Sequence, residues 1–280
     1  MYCVALGAVI ALADGCAFPD FSSVPSVHAG TFTLIHVAGV EDVGATADHP
    51  LGRLARLADL RGGRDRLHGV LTSVSGGFLT APGPDGANNI SLLNGIGVEV
   101  ATPSDRELTL TESEFHSRIQ GATFVPISNN LTDAAGHQFK DMTRGIVMPI
   151  KTEKGLVDVG YVGLMRSTSP PAWATYTDPI EAAKKDVPET RKWAQFIVAL
   201  TNFSIADDQA LIAAVPGIDL VLGSNRGEAW AITRESGTTP IAKADVNART
   251  AVVAIITITE GNARPEIVLR IEPLDKPPVK

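Results

Sequence analysis

Residues Gln195 to Glu228 read QFIVALTNFSIADDQALIAAVPGIDLVLGSNRGE and contain two short apolar runs separated by a polar loop and a helix-like segment. The runs are Phe196 to Leu200 and Ile218 to Leu222. Short apolar runs bounded by turn signals are typical of buried strands. Because the helix-like segment Gln209 to Ala214 lies between them, the stretch predicts one βαβ crossover with two parallel strands.

A polar segment follows each predicted strand, Thr201-Asn202 after the first and Ser224-Asn225-Arg226 after the second. Neighbouring parallel strands end at the same edge of a sheet, so we expect the two loops to lie side by side. Open α/β sheets usually place their functional sites at that edge. The two loops are therefore the first candidates for a site.

The rest of the chain predicts a layered α/β fold. Thr31 to Val37 and Thr250 to Ile258 are rich in β-branched residues and read as strands, whereas a segment around Glu112 to Ile119 reads as a helix. Strands alternate with helices early in the chain and follow one another, as in hairpins, late in it. This order predicts two mixed sheets with helices outside them.

The composition weighs against nucleic acid as a partner. The chain has 280 residues, a formal net charge of -7 and only 5% aromatic residues. Binding to phosphate backbones needs clustered Lys and Arg, and base stacking needs aromatic platforms. The chain is long enough to bury a full core, either as one large domain or as two small ones.

The N-terminus predicts export. Val4 to Ala13 is an uncharged apolar run too short to span a bilayer, and Ala11-Leu12-Ala13 fits a signal-peptidase pattern. Cys16 follows in a sequence similar to a lipoprotein box, which predicts a periplasmic protein or one anchored to the outer side of a membrane. A buried first strand or helix is the alternative. We therefore divide the chain into a leader (1–15), a tether (16–30), a folded domain (31–275) and a tail (276–280).

Four further segments carry a family resemblance. They are SNNLTDAAGHQF (128–139), TDPIEAAKKDVPETRKWAQFIVALT (177–201), VPGIDLVLGS (215–224) and TPIAKADVNAR (239–249). In this order they resemble the metallophosphoesterase domain of the 5'-nucleotidase family, over about Thr31 to Leu274. The resemblance implies a four-layer α/β/β/α sandwich, in agreement with the pattern of strands and helices.

The same resemblance implies two divalent metal ions held by Asp, His and Asn side chains on loops after successive strands. The first family loop, His-x-Asn-Asp-x-His, corresponds to His36 to Glu41, where Gly39 and Glu41 replace an Asp and a His ligand. In the second loop, Gly-Asp becomes Gly76-Gly77, so the bridging carboxylate is missing. In the third loop, Gly-Asn-His-Glu becomes Ser104 to Glu107, with Asp105 and Arg106 at the Asn and His positions.

The opening stretch departs from the family in the same way. After the first predicted strand, Thr201-Asn202 replaces a Thr-His pair of the family. After the second, the residues Gly223 to Gly227 replace the family's Gly-His-x-His, with Asn225 and Gly227 at the two His positions. The replaced ligand positions are Gly39, Glu41, Gly77, Asp105, Asn202, Asn225 and Gly227. We therefore predict no catalytic residues and no resident metal. The expected role is that of a binding or scaffold subunit for an unidentified protein partner, with membrane attachment through Cys16. The alternative is a weak or altered metal-dependent phosphoesterase.

Three other hypotheses about a functional site stay open. Glu41, Asp105, Asn202 and Asn225 offer oxygen ligands of the kind that Ca²⁺ or Mg²⁺ prefers. Arg106 and Arg226, together with the glycine-rich loops Gly76-Gly77 and Gly223-Ser224, are candidates for an anion site; the alternative is that Arg106 pairs with Glu107 or Asp105. The third hypothesis is a new catalytic centre built from the histidines, which are His36, His49, His68, His116 and His137, with His28 in the tether. For His36 we expect a hydrogen-bonded structural role.

Overall fold

The structure is a computed structural model and describes residues 10–11, 29–44, 51–64, 69–80, 87–167, 169–224, 230–233, 238–261 and 264–275. The strands are β1 (Ile10–Ala11), β2 (Gly30–Ala38), β3 (Val70–Ser75), β4 (Val100–Thr102), β5 (Val125–Pro126), β6 (Leu131–Asp133), β7 (Gly145–Thr152), β8 (Gly155–Leu164), β9 (Ala174–Tyr176), β10 (Phe196–Thr201), β11 (Leu220–Ser224), β12 (Ala231–Thr233), β13 (Ile241–Ala244), β14 (Thr250–Ile258) and β15 (Glu266–Pro273). The α-helices are α1 (Leu54–Arg64), α2 (Ala87–Ile96), α3 (Glu112–Ile119), α4 (Pro179–Arg191) and α5 (Ile205–Ala214).

The strands form two large mixed sheets. Sheet A has the order β1-β7-β8-β10-β11-β13-β12, and sheet B has the order β15-β14-β2-β3-β4-β5. In sheet A, β8, β10, β11 and β13 are parallel neighbours, whereas β1, β7 and β12 run antiparallel to the strands beside them. In sheet B, β2 to β5 are parallel, and β14 and β15 are antiparallel. Strands β6 and β9 form a separate two-stranded sheet.

Apolar residues pack in three layers between four layers of secondary structure. Helices α1, α2 and α3 cover one face of sheet B, and helices α4 and α5 cover one face of sheet A. The remaining faces of the two sheets pack on each other, with the rings of Phe32 and Phe196 in edge-to-face contact 5.7 Å apart. The predicted α/β/β/α sandwich is confirmed.

Strand β10 shows why a continuous apolar run marks a strand in this fold. Phe196 and Val198 face the core between the sheets, and Ile197 and Ala199 face the helices α4 and α5. All four side chains are completely buried. A strand covered on both faces has no polar side, so its sequence does not alternate.

The predicted βαβ crossover is confirmed, because β10 and β11 are parallel neighbours joined by α5. The predicted start of the helix is wrong: α5 begins at Ile205, four residues before Gln209. Ser204 caps it by accepting a hydrogen bond from the backbone N–H of Asp207 at 3.2 Å. Part of the expected polar loop is thus the first turn of the helix.

The late strands are not one run of hairpins. Strands β12 and β13 pair in sheet A and β14 and β15 pair in sheet B, so the chain crosses from one sheet to the other after Ala244. The crossing residues 245–249 lie at the edge where β2 ends, because the backbone N–H groups of Asn247 and Ala248 donate to the carbonyls of Gly39 and Ala38.

The N-terminal strand β1 pairs with β7 through Ile10 and Ala11, at the edge of sheet A. These two residues lie within the predicted leader, and Cys16 lies outside the described residues. The division into leader, tether and domain stays a prediction. Of the helices in the described ranges, none is long and apolar enough to cross a membrane.

Candidate functional site

The predicted site lies at one end of the sandwich, where the parallel strands of both sheets finish. A Cβ atom added to Gly39, after β2, would lie 2.9 Å from Cβ of Val246, after β13. A Cβ atom added to Gly163 in β8 would lie 2.7 Å from the hydroxyl oxygen of Thr102 at the end of β4. The loops of the two sheets therefore meet at this end.

The first loop is closed by its neighbours. Gly39 has a φ of +55°, a conformation that favours glycine. Its backbone N–H donates to the carbonyl of Ser75 at 2.9 Å, and its carbonyl accepts from the N–H of Asn247 at 2.6 Å. Since Val246 occupies the space where a side chain would begin, this position leaves no room for a carboxylate.

The second loop leaves no room either. Gly77 has a φ of +78°, and a Cβ atom there would lie 2.8 Å from the backbone nitrogen of Val40 and 2.9 Å from the carbonyl carbon of Gly39. The N–H of Val40 donates to the carbonyl of Gly76 at 3.2 Å and holds the two loops together. A side chain at position 77 would have to push the backbone of the first loop away.

The third loop contributes an ion pair at its rim. Nε of Arg106 lies 3.2 Å from a carboxylate oxygen of Glu41, with the Arg106 side chain 66% exposed and that of Glu41 25% exposed. Partial burial raises the pKa of Glu41, the charge of Arg106 opposes that rise, and the carboxylate of Asp105 adds to it. The structure thus pairs Arg106 with Glu41.

Glu107 is a buried carboxylate that ties two loops together. One of its oxygens accepts from the backbone N–H and the hydroxyl of Ser104, at 2.9 and 3.0 Å, and the other accepts from the backbone N–H of Leu79 at 3.4 Å. Burial raises the pKa of Glu107, and these hydrogen bonds oppose the rise. All of its described partners are hydrogen-bond donors of this chain, so Glu107 has a structural role and holds the second and third loops together.

Asn202 is also fully engaged within the chain. Its side-chain oxygen accepts from the backbone N–H of Arg166 at 2.9 Å, and its side-chain nitrogen donates to the carbonyl of Arg166 at 3.0 Å. The residue is 2% exposed. The amide joins the end of β10 to the end of β8 and does not point a free oxygen toward a cation.

The histidines of the described residues have separate partners. His36 is completely buried, and its two ring nitrogens lie 2.9 and 3.1 Å from the hydroxyls of Ser73 and Ser75. Burial, and then the nearby charge of Lys243, lower the pKa of His36 to about 3, so the ring is neutral. His116 contacts Asp141 at 2.8 Å, on a different part of the fold. The geometry of His36 agrees with the expected structural role.

Comparison with known proteins supports this description of the fold. No protein-family model matches the chain. The chain is 31% identical over 145 residues to the uncharacterized metallophosphoesterase YunD of Bacillus subtilis, a match that covers 50% of this chain and 30% of YunD. The sequence comparison therefore reaches about a third of that protein's length.

Solved structures give matches over most of the chain. The calcineurin-like phosphoesterase YfkN of Bacillus subtilis has a TM-score of 0.71 and 16% identity, covering 88% of this chain and 91% of its own. The chain has the metallophosphoesterase fold. A putative 5'-nucleotidase of Staphylococcus aureus (TM-score 0.72, 13% identity) and a 5'-nucleotidase precursor of Thermus thermophilus (TM-score 0.67, 16% identity) match 89% and 87% of this chain and 55% of their own lengths. The predicted fold resemblance is confirmed.

The metallophosphoesterase fold implies a two-metal centre, and the described residues do not supply its donors. Positions 39 and 77 carry no side chain and have no space for one, and both polar atoms of Asn202 bind backbone groups. Within the described part of the chain, no three His, Cys, Asp or Glu side chains are grouped so that they could hold a metal ion. Asn225, Arg226 and Gly227 lie outside the described residues, so the predictions that rest on them stay predictions.

Two buried charges were not found from the sequence. Lys243 and Asp208 are both 0% exposed and contact each other beneath the loops of the candidate site. The available signal was a lysine inside the apolar run PIAKA (240–244), because a strand buried on both faces does not usually carry a charge. The helix before β11 supplies its partner.

A cavity of about 630 Å³ lies at the opposite end of sheet A. Its lining includes Pro216 to Asp219, before β11, and Thr239 and Pro240, before β13. It is therefore distinct from the candidate site, which lies where these strands finish.

Proposed function

We propose that this chain is a non-catalytic protein with a metallophosphoesterase fold that acts as a binding or scaffold subunit. The observation that supports the proposal is steric. A side chain at Gly77 would collide with the backbone of the first loop, and one at Gly39 would collide with Val246. The two central carboxylates of a two-metal centre therefore have no place in this arrangement of loops.

The chemistry of the fold explains why those positions matter. A two-metal phosphoesterase uses bridging oxygen ligands to hold its ions a few Å apart and to generate a hydroxide nucleophile. Glu41 and Asp105 are two of the carboxylates near the loops, and Glu41 is paired with Arg106. An arginine at this rim opposes the binding of a cation through charge repulsion.

Metal content and turnover test the proposal. The purified full chain is expected to carry no stoichiometric Mn, Zn or Fe by elemental analysis. It is also expected not to hydrolyse AMP, a generic phosphomonoester or a generic phosphodiester after Mn²⁺, Zn²⁺, Mg²⁺ or Ca²⁺ is added. Stoichiometric transition metal together with turnover would contradict the proposal.

The competing function is a weak or altered phosphoesterase, and the similarity to YunD, which is named a metallophosphoesterase, favours keeping it in the test. If turnover appears, the variants Glu41→Gln and Asp105→Asn distinguish the sources of activity. Loss of turnover in both variants would assign the activity to oxygen ligands of this chain, including the Ca²⁺ or Mg²⁺ site considered above. Unchanged turnover in both would place the source of the activity elsewhere, in other residues of this chain or in a contaminating enzyme.

Export and partnership are part of the same proposal. The leader pattern, together with a solved structural neighbour described as a precursor, supports an exported protein anchored through Cys16. Mass spectrometry of the mature N-terminus tests this, since an unprocessed Met1 in the native source would contradict it. A scaffold subunit should also co-purify with a second chain after gentle solubilisation. A monodisperse monomer from the native source would count against that role.

A further inference from the structure

Lys243 is a fully buried lysine that forms a closed ring of polar contacts with Thr201 and Asp208. Its Nζ donates to the hydroxyl of Thr201 at 2.7 Å and contacts Oδ2 of Asp208. The same Thr201 hydroxyl donates to Oδ1 of Asp208 at 2.8 Å. Oδ1 of Asp208 thus accepts from a hydroxyl, and Oδ2 forms an ion pair with Lys243, which suits a carboxylate and an ammonium ion.

The ring lies directly under the loops of the candidate site. Thr201, Gly223 and Lys243 are register partners across the parallel strands β10, β11 and β13. A Cβ atom added to Gly223 would lie 2.1 Å from the carbonyl oxygen of Thr201 and 2.9 Å from Nζ of Lys243, so a glycine leaves room there for both groups. Asn202 follows Thr201, which puts the ammonium one residue below the position where the resemblance expects a metal ligand.

The charge of Lys243 also reaches the other sheet. It is the second cause, after burial, of the lowered pKa of His36, which lies three residues before Gly39. The ammonium itself lies between sheet A and helix α5, close to the ends of the strands that carry the candidate loops.

We propose that Lys243 is a built-in cation that supplies, from the chain itself, the positive charge that metal ions bring to this end of the fold. The proposal rests on the proposed function, because it assumes that the metal centre is absent. Asp208 then has a counter-ion within the chain, and the loops above need no bound metal to stay closed. Asp208 is a positioning residue for the ammonium in this arrangement.

The test is rescue of Lys243→Ala by an external cation. The variant leaves the Asp208 carboxylate facing a cavity where the lysine side chain had been. The melting temperature is measured in buffers of equal ionic strength that contain KCl, ethylammonium chloride or MnCl₂, and in KCl with added 1-propanol as a neutral analogue. Stabilisation of Lys243→Ala by ethylammonium or by Mn²⁺ is expected to be about 3 °C or more, with no such shift for the wild type.

The double variant Lys243→Ala/Asp208→Asn is the matched control, because it lacks the carboxylate that needs a counter-ion. It should not respond to either cation. If Lys243→Ala does not fold in KCl, the yield of refolded protein in the same solutions becomes the measurement.

Three results would overturn the proposal: no stabilisation by either cation, equal stabilisation by 1-propanol, or the same response in the double variant. Such a failure would leave the proposed function standing, since that is tested separately by the metal content and turnover of the wild type.

Discussion

The substitution Gly77→Ala tests the closed loops most directly. The new methyl group would lie 2.8 Å from the backbone nitrogen of Val40 and 2.9 Å from the carbonyl carbon of Gly39, well inside the ~3.5–4.0 Å of a normal contact. Relieving such a contact costs about 1–3 kcal/mol, and an alanine at positive φ costs about 1–2 kcal/mol more. We therefore expect the free energy of unfolding to fall by roughly 2–5 kcal/mol.

The matched control is Gly136→Ala. Gly136 has a φ of +85°, close to the +78° of Gly77, but a Cβ atom there meets nothing within 4 Å. This variant carries the backbone cost alone, about 1–2 kcal/mol. Urea denaturation of the wild type and both variants, with equal m-values, gives the difference. If Gly77→Ala is no more destabilised than Gly136→Ala, the loops have room for a side chain and the steric case for a lost metal centre fails.

Three further predictions concern buried polar groups. Because the pKa of His36 is lowered to about 3, the unfolded chain gains a proton below the usual value of 6.5 while the folded chain does not. Relative to His36→Gln, the free energy of unfolding of the wild type should therefore fall by about 1.4 kcal/mol for each unit that the pH is lowered between pH 6.5 and about 3. Parallel pH profiles of the two proteins would contradict this. Asn202→Ala leaves the backbone groups of Arg166 without partners and should cost about 1–3 kcal/mol in urea denaturation; a loss under about 0.5 kcal/mol would show that water replaces the amide. Lys243→Met should cost about 3–5 kcal/mol, because the buried carboxylate of Asp208 loses its counter-ion, and a second substitution, Asp208→Leu, should recover part of that loss. A double variant less stable than Lys243→Met would refute the pairing.

The sequence predicts most of the fold because its signals are local and repeated. The strand Thr250 to Ile258 and the helix Glu112 to Ile119 occur with the predicted bounds. The helix is marked by Thr111 and Glu114, which form a capping box. Strand β10 extends the predicted run by one residue, to Thr201. Burial on both faces, capping and β-branched content are all visible in single segments of the chain.

The start of α5 is marked by a local capping signal in the residues before Gln209. Ser204 and Asp207 have the spacing of a capping box, and the hydroxyl of Ser204 donates to the carboxylate of Asp207 at 2.8 Å. An Asp at the third helical position fills the place in which Glu or Gln is usually sought. The signal was present, and a rule that includes Asp would have found it.

The candidate site is less predictable because its geometry depends on contacts between distant segments. The sequence shows that Gly39 and Gly77 lack side chains, but not that Val246 and the backbone of Val40 fill the space beside them. The partner of Arg106 likewise came from another loop, as Glu41. Which residues meet across four loops is decided by the packing of both sheets.

The loops are held by hydrogen bonds between groups of the chain itself. Glu107 joins the third loop to the residues after Gly77, and Asn202 joins the end of β10 to the end of β8. The side chain of Asn89, from α2, donates to the carbonyl of Val40 at 2.8 Å and fixes the first loop. Each buried group satisfies donors or acceptors that would otherwise lose water without compensation. Since these bonds use no ion, the same shape can persist without metal, and a surface of constant shape is what a binding subunit needs.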